Sequence, residues 1–193
     1  MRLRTPIALL LCASVACCTR SKPEVPTGPG PVDSCNVEAK GEVRLTSAAW
    51  SDVVQATVRG PSCHDSTFRA EIRAQDGQVI YRYSQPLQAL LCFAPADTPA
   101  DMETAARRIV DRAAAGGVGQ RTSSLPEYHD GTFVFEYEGV SRTGKVLVSK
   151  DVYVRLRKGD QPMFHHPTGC EMGRYVAFDP ATNRVTPVLD SWM

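Results

Sequence analysis

Alternation of apolar and polar residues predicts antiparallel strands in the first half of the chain. In the range 67–74 every even-numbered residue is apolar and every odd-numbered residue is polar. This is the period of a strand with one buried and one wet face. Residues 53–58 alternate in the same way, and the polar connector 60–66 favours a hairpin between the two ranges. Asp76-Gly77 is a tight-turn signal that leads into a third strand over residues 79–83.

Apolar runs and further alternation predict five more strands. They cover residues 87–93, 133–137, 146–156, 175–178 and 184–189. The run at 87–93 is almost continuously apolar, which is typical of a central strand. Lys150 interrupts the apolar even-numbered positions of 146–156, which suggests a bulge or bend at Ser149–Asp151.

One helix is predicted between Thr98 and Gly116. Thr98 can cap its N-terminus, Pro99 suits its first position, and Asp101 stands three residues after the cap. Its apolar stripe comprises Met102, Ala105, Ala106, Ile109 and Ala113. We expect this stripe to pack on the sheet. The pattern therefore predicts an α+β fold, with a mainly antiparallel β-sheet of about eight strands and one packed helix, in a single domain over residues 34–193.

The N-terminus has the composition of an export signal. Arg2 and Arg4 precede an apolar run over residues 7–16, which is too short to span a membrane. The junction Val15-Ala16-Cys17-Cys18 resembles the lipobox of bacterial lipoproteins, in which an aliphatic residue and small residues precede a lipidated cysteine. Residues 1–17 are therefore interpreted as a signal peptide and Cys18 as the site of lipidation. Lipidation of Cys17, or an ordinary secretory signal that leaves a soluble periplasmic protein, are the alternatives.

Residues 18–33 are interpreted as a lipidated tether. Four prolines and no apolar periodicity are typical of a semi-extended spacer. Thr19 follows Cys18, where an aspartate would retain such lipoproteins at the inner membrane of enteric bacteria. The resemblance therefore implies an anchor in the cell envelope that faces the periplasm, with the outer membrane favoured over the inner one.

Net charge excludes broad recognition of polyanions. Removal of residues 1–17 lowers Lys plus Arg from 22 to 20, against 21 Asp plus Glu, so the mature chain is close to neutral. Nucleic-acid binding normally requires a strongly basic domain or patch. We therefore expect no nucleic-acid partner, and the membrane is expected to be reached through the lipid anchor.

Four cysteines of the predicted domain suggest two disulfides. Cys35, Cys63, Cys92 and Cys170 are an even number in an oxidising compartment, although they allow three pairings. The preferred pairs are Cys35–Cys63 and Cys92–Cys170. A zinc site formed by Cys170 with His165 and His166 is the alternative. It is disfavoured because adjacent histidines of an extended segment point in different directions.

No motif predicts catalysis or a cofactor. The chain contains no nucleotide-binding glycine loop, zinc-protease helix or serine-hydrolase elbow. Glu136 and Glu138 fit the wet face of a strand, and His129-Asp130 fits a turn before Gly131. We therefore expect a protein that is not an enzyme and that holds no metal or cofactor.

Two long irregular segments are the candidate functional regions. They cover residues 117–131 and 158–173, and loops of this length are either functional or simple crossovers pinned by disulfides. Interfaces favour aromatic and arginine anchors, so Arg121, Tyr128 and Phe164 are the candidate partner-binding residues.

Export signal, tether and cysteines together resemble, at a general level, immunity proteins of interbacterial toxin systems and inhibitors of lysozyme. The resemblance implies a protein partner in the periplasm, such as an antibacterial toxin, which this chain would neutralise. The alternative is a structural or accessory lipoprotein of an envelope or secretion assembly. An enzyme with an unrecognised site is a third, more distant hypothesis.

Overall fold

Two antiparallel sheets make up most of the structure. The computed structural model describes residues 34–91, 98–116, 120–137 and 139–193, with only the backbone of Tyr137. In the described residues the first sheet has the order β1-β2-β3-β4 and the second the order β5-β6-β9-β8-β7. The strands are β1 (Cys35–Val43), β2 (Asp52–Gly60), β3 (Thr67–Arg73), β4 (Val79–Pro86), β5 (Thr132–Tyr137), β6 (Val140–Val146), β7 (Met163–Gly169), β8 (Met172–Asp179) and β9 (Arg184–Trp192). The α+β class is confirmed.

The first sheet is a meander with one buried face. Strands β2, β3 and β4 coincide with predicted strands, and Ala56 lies opposite Ala70 in the centre of the β2–β3 pair. Strand β1 was not predicted from the alternation. It pairs along its whole length with β2. Alternate residues of the four strands are buried beneath a helix, while the others face outward.

The predicted helix is confirmed as α1 (Pro99–Ala115). The Thr98 side chain accepts a hydrogen bond from the Asp101 amide, as expected for an N-cap. Five of its side chains are buried, namely Met102, Ala106, Val110, Ala113 and Ala114. The helix passes so close to β1 that a Cβ at Gly41 would lie 2.1 Å from the Ala114 carbonyl oxygen. Glycine at this strand position therefore permits the close packing of α1.

The run at 87–93 does not form the predicted central strand. Residues Leu87–Leu90 form a short 3-10 helix, and Cys92 and Phe93 lie outside the described residues. Leu87 and Leu90 are buried and three positions apart, whereas Gln88 and Ala89 are exposed. A short apolar run fits a strand as well as a helical turn. Here the helical turn forms and buries both leucines.

The strand predicted at 146–156 is also wrong. Strand β6 ends at Val146, and α2 (Lys150–Gly159) occupies most of the range. Tyr153 and Leu156 are the buried residues of α2, and their spacing is helical. Val152 and Val154 made the segment alternate like a strand, but Ser149 at the N-cap position and Asp151 in the first turn suit a helix start.

The segment 158–173 is not an irregular loop. It contains the end of α2, a short connection and β7, which pairs with β8 over its length. Phe164 and His166 are fully buried, because β7 covers the region where the two sheets meet. A cluster of apolar side chains from both sheets, including Val54, Ile72, Phe164 and Val176, closes this part of the core.

The described elements belong to one compact unit, which spans residues 31–193. The tether and signal peptide predicted at 1–33 lie outside the described residues. Within the described part of the chain, no helix is both long and apolar enough to cross a membrane.

Candidate functional site

A cleft of about 690 Å³ lies between the end of β1 and the segment that leads into β7, each of which is an edge strand of its sheet. One wall is the end of β1 with the connection to β2, and the other is formed by residues 120–121 and 159–163. The lining is mixed, with Leu45, Pro162 and Met163 as apolar groups among charged and amide side chains. The long polar side chains of the lining are Glu42, Arg44, Gln120, Arg121 and Gln161.

A buried carboxylate shapes the first wall. Asp52, at the start of β2, is 1% exposed. Its Oδ2 accepts hydrogen bonds from the amides of Leu45 and Thr46, each at 2.9 Å, and its Oδ1 accepts one from the Thr46 hydroxyl at 2.7 Å. Three donors on one carboxylate hold the connection 44–51 in a defined conformation.

That connection presents a tryptophan to solvent. Trp50 is 56% exposed and does not itself line the cleft, but its chain neighbour Ser51 does. A large exposed aromatic side chain on a well-held loop is the kind of residue that anchors protein interfaces. The sequence analysis did not select Trp50. The preceding strand β1 was not predicted from the sequence, so no signal marked Trp50 as part of an exposed connection.

An ion pair shapes the second wall. The Arg121 Nε donates to Asp160 Oδ2 at 2.7 Å, and the Ser123 hydroxyl donates to the other carboxylate oxygen. These hydrogen bonds, that of Ser123 first, hold the pKa of Asp160 below its usual value. Asp160 follows α2 with a left-handed backbone (φ 49°), and its side chain thereby joins the end of the helix to the segment 121–123.

Buried polar contacts fix the second wall to the core. The Thr122 hydroxyl donates to the Leu156 carbonyl at 2.6 Å and accepts from the Gln161 amide at 2.8 Å. Arg121 forms an isolated antiparallel bridge with Pro162. Both walls are therefore preorganised, and binding here would require little ordering of the loops.

The chemistry of the cleft suits recognition. Its described lining carries no histidine or cysteine. Guanidinium and amide groups around a partly apolar floor can bind carboxylates, backbone amides and apolar side chains. Such a surface fits a projecting segment of another protein.

The structure brings only one predicted partner-binding residue to the cleft. Arg121 lines it, whereas Tyr128 is half-buried and packs edge-on against Tyr153 with a centroid separation of 5.7 Å. Tyr128 lines a smaller pocket together with Ser123, whose hydroxyl donates to Asp160 of the second wall. Phe164 is fully buried in β7. Phe164 packs in the core. It was predicted to be a surface anchor because its segment was predicted to be a loop, and that prediction is wrong.

The Cys35–Cys63 disulfide is confirmed. It joins the first residue of β1 to the β2–β3 connection, with the two Cα atoms 4.7 Å apart. Cys170 is also disulfide-bonded. Cys92 lies outside the described residues, so the pair Cys92–Cys170 stays a prediction. The same holds for lipidation at Cys18.

The histidines of the alternative zinc site serve other contacts. His165 packs on Tyr175, with ring centroids 4.6 Å apart, and His166 is hydrogen-bonded to Tyr81. Cys170, the thiolate that this site would need, is in a disulfide. In the ranges that the structure describes, no group of three His, Cys, Asp or Glu residues is arranged to hold a metal ion.

The two remaining candidates for acid–base chemistry lie apart from the cleft. His129 is exposed and stacks on Phe133 at a centroid distance of 4.9 Å. Glu136 is exposed on β5, and Glu138 lies outside the described residues.

Comparison with known proteins gave no relative. No protein-family model, curated protein or solved structure matched the chain.

Proposed function

We propose that this chain is an envelope-anchored periplasmic binding protein that neutralises a protein partner through the cleft between β1 and β7. An immunity protein against an antibacterial toxin, or an inhibitor of a lysozyme-type enzyme, is the form of this function that we favour. The observation that carries the proposal is the exposed Trp50 on a loop held by buried Asp52, beside a cleft that contains Arg121.

The surface has the properties of an interface centre. Tryptophan and arginine are the residue types most enriched among the side chains that dominate binding energy. The hydrogen bonds of Asp52 and Asp160 already order the two walls, so less conformational entropy is lost on binding. The cleft could receive a loop or a few side chains of the partner.

The proposed periplasmic location would place the cleft where it can meet such a partner. A lipid at Cys18 and the proline-rich stretch up to residue 33 would hold the domain in the periplasm, where such a toxin acts. The near-neutral charge of the mature chain favours a specific patch over general electrostatic capture.

A genetic challenge with cleft variants tests the proposal. We would delete the gene alone, or together with its neighbouring gene, and mix each strain with its parent. Loss of this gene alone should make cells sensitive, and loss of a neighbouring toxin gene from the parent should remove the killing. Complementation with Trp50→Ala should fail or be weak, because truncation of an interface anchor costs roughly 2 kcal/mol or more, equivalent to about thirtyfold in affinity.

Val134→Ala is the matched control, since Val134 is an exposed apolar residue of β5 outside the cleft. It should restore protection fully at the same protein level, as judged by immunoblot. Survival of the deletion strain, with no adjacent gene toxic in the periplasm, would instead favour the accessory-lipoprotein alternative.

A further inference from the structure

The outward face of the first sheet is a grid of charged side chains. The register aligns Lys40, Gln55, Glu71 and Arg82 across the four strands, and one row away it aligns Glu38, Thr57, Arg69 and Ser84. Arg59 and Arg73 stand on the same face at opposite ends. Five cations and three carboxylates, the third being Glu42, therefore occupy this face.

Glu71 is the centre of the grid. It is only 6% exposed, although it points to the solvent face of the sheet. Its carboxylate accepts from Arg73 at 2.7 Å and from Arg82 at 2.8 Å, and Arg69 lies 3.9 Å away. Three guanidinium groups thus surround one carboxylate, which leaves an excess of two positive charges at this point.

The arginines are ordered but remain accessible. The side chains of Arg69 and Arg82 are 53% and 58% exposed, and both line a shallow concavity of about 580 Å³. A guanidinium that uses one edge to hold Glu71 retains other N–H groups for a second anion. Ordering by Glu71 lowers the entropic cost of such a contact.

A neighbouring pair extends the surface. Glu38 lies 3.2 Å from the Lys40 ammonium and 3.1 Å from the Arg59 guanidinium, and both cations are about two-thirds exposed. The face is therefore basic overall but interrupted by carboxylates at regular intervals.

The mixture of cations and carboxylates on this face favours a protein ligand over a nucleic acid or a membrane. A nucleic-acid strand would call for aromatic residues on which bases stack, and the outward-facing residues of β1–β4 include none. A membrane surface would favour several apolar or aromatic side chains beside the cations, and among the outward residues of β2 and β3 Val53 alone is apolar. Planar, bidentate arginine contacts suit carboxylates, and the interspersed acids suit the mixed charges of a protein surface.

We propose that this face is a second docking surface, which binds a carboxylate-rich segment of a protein partner through Arg69, Arg73 and Arg82. The inference rests on the proposed function only in taking the partner to be a protein. The three arginines do not line the cleft, although Glu42 of the same face does. They contribute by electrostatic complementarity, which raises the association rate and selects the partner.

The experiment uses the purified protein and fluorescently labelled poly-L-glutamate at low salt, read by anisotropy. Binding should be present, should weaken with rising salt, and should fall about tenfold in Arg69→Gln/Arg82→Gln. Each exposed ion pair contributes up to about 1 kcal/mol, equivalent to about fivefold. Lys40→Gln/Arg59→Gln, which leaves Glu71 untouched, should also weaken binding and serves if the first variant is unstable.

Arg107→Gln/Arg108→Gln on α1 is the matched control, since it removes the same charge from an exposed helix surface. It should bind as the wild type does. No binding by the wild type, or equal loss in the control, would overturn the inference. So would tighter binding of single-stranded DNA, or of phosphatidylglycerol vesicles, through the same arginines. If the face variants bind no poly-L-glutamate yet protect cells fully in the genetic challenge, the proposed function stands without this second surface.

Discussion

The Tyr81 hydroxyl lies 2.7 Å from His166 Nε2 and joins the two sheets inside the core. His166 Nδ1 is 3.0 Å from the Pro167 carbonyl oxygen, which can only accept. Nδ1 therefore carries the proton, and Nε2 accepts from Tyr81. The ring is neutral in this arrangement, and a second proton at Nε2 would place a charge in the buried contact between β4 and β7 and make Nε2 the donor to the Tyr81 oxygen.

Stability should fall in acid because His166 stays neutral when folded. Burial lowers the pKa of His166 from 6.5 to about 4, so the unfolded chain takes up the proton first as pH falls. The contribution is complete above pH 6.5 and is lost as pH falls through about 4. Urea unfolding across this range should show a loss of up to about 3 kcal/mol from this group. Burial lowers the pKa of His165 to about 4 as well.

Substitution distinguishes the contributions of His165 and His166 to this pH dependence of stability. His166→Gln should flatten part of this pH dependence while lowering stability at neutral pH. His165→Gln should remove the other part, because burial also lowers the pKa of His165 to about 4. An unaltered acid transition in His166→Gln would show that other groups cause it.

Asp52→Asn should loosen the loop that carries Trp50. Asparagine can still accept from the two amides and donate to the Thr46 hydroxyl, but it carries no charge, so the two charge-assisted hydrogen bonds of Leu45 and Thr46 become weaker neutral ones. The expected cost is about 1–3 kcal/mol in the free energy of unfolding. Hydrogen exchange at the Leu45 and Thr46 amides should accelerate. Asp76→Asn, at an exposed turn that also accepts an amide hydrogen bond, should change neither, and equal effects of both variants would refute the role of Asp52.

Removal of the Cys35–Cys63 disulfide should destabilise the first sheet. The bond closes a loop with a sequence separation of 28, for which chain entropy gives about 3–4 kcal/mol. Cys35→Ala/Cys63→Ala should therefore unfold at lower urea concentration than the oxidised wild type. Peptide mapping without reductant should recover the Cys35–Cys63 peptide pair and should also test Cys92–Cys170. Free thiols at Cys35 and Cys63 in periplasmic protein would contradict the expectation.

Cys18 should carry the lipid. Metabolic labelling with a palmitate analogue should tag the wild type but not Cys18→Ser, because the lipobox-like junction directs modification to that thiol. Cys17→Ser should retain the label. Equal labelling of wild type and Cys18→Ser would refute the assignment, and an unlabelled wild type would indicate simple secretion.

Local patterns were sufficient where neighbouring residues alone decide the conformation. The alternation at 67–74 predicted β3, and Thr98 with Pro99 predicted the start of α1. The class of the fold follows from such signals, because strands of period two and a capped amphipathic helix form the same elements in many contexts. The choice of Cys35 with Cys63 also came from sequence alone and is confirmed, whereas the N-terminal export signal stays a prediction.

Tertiary packing decided the secondary structure of segments whose apolar pattern fits both a strand and a helix. Residues 150–159 alternate like a strand but form a helix, because Tyr153 and Leu156 are buried together only at helical spacing. Phe164 and His166 became core residues because β7 closes the junction of the sheets. The cleft depends on contacts between distant positions, such as Arg121 with Asp160. Those contacts exist only once the chain has folded, and no local pattern encodes them.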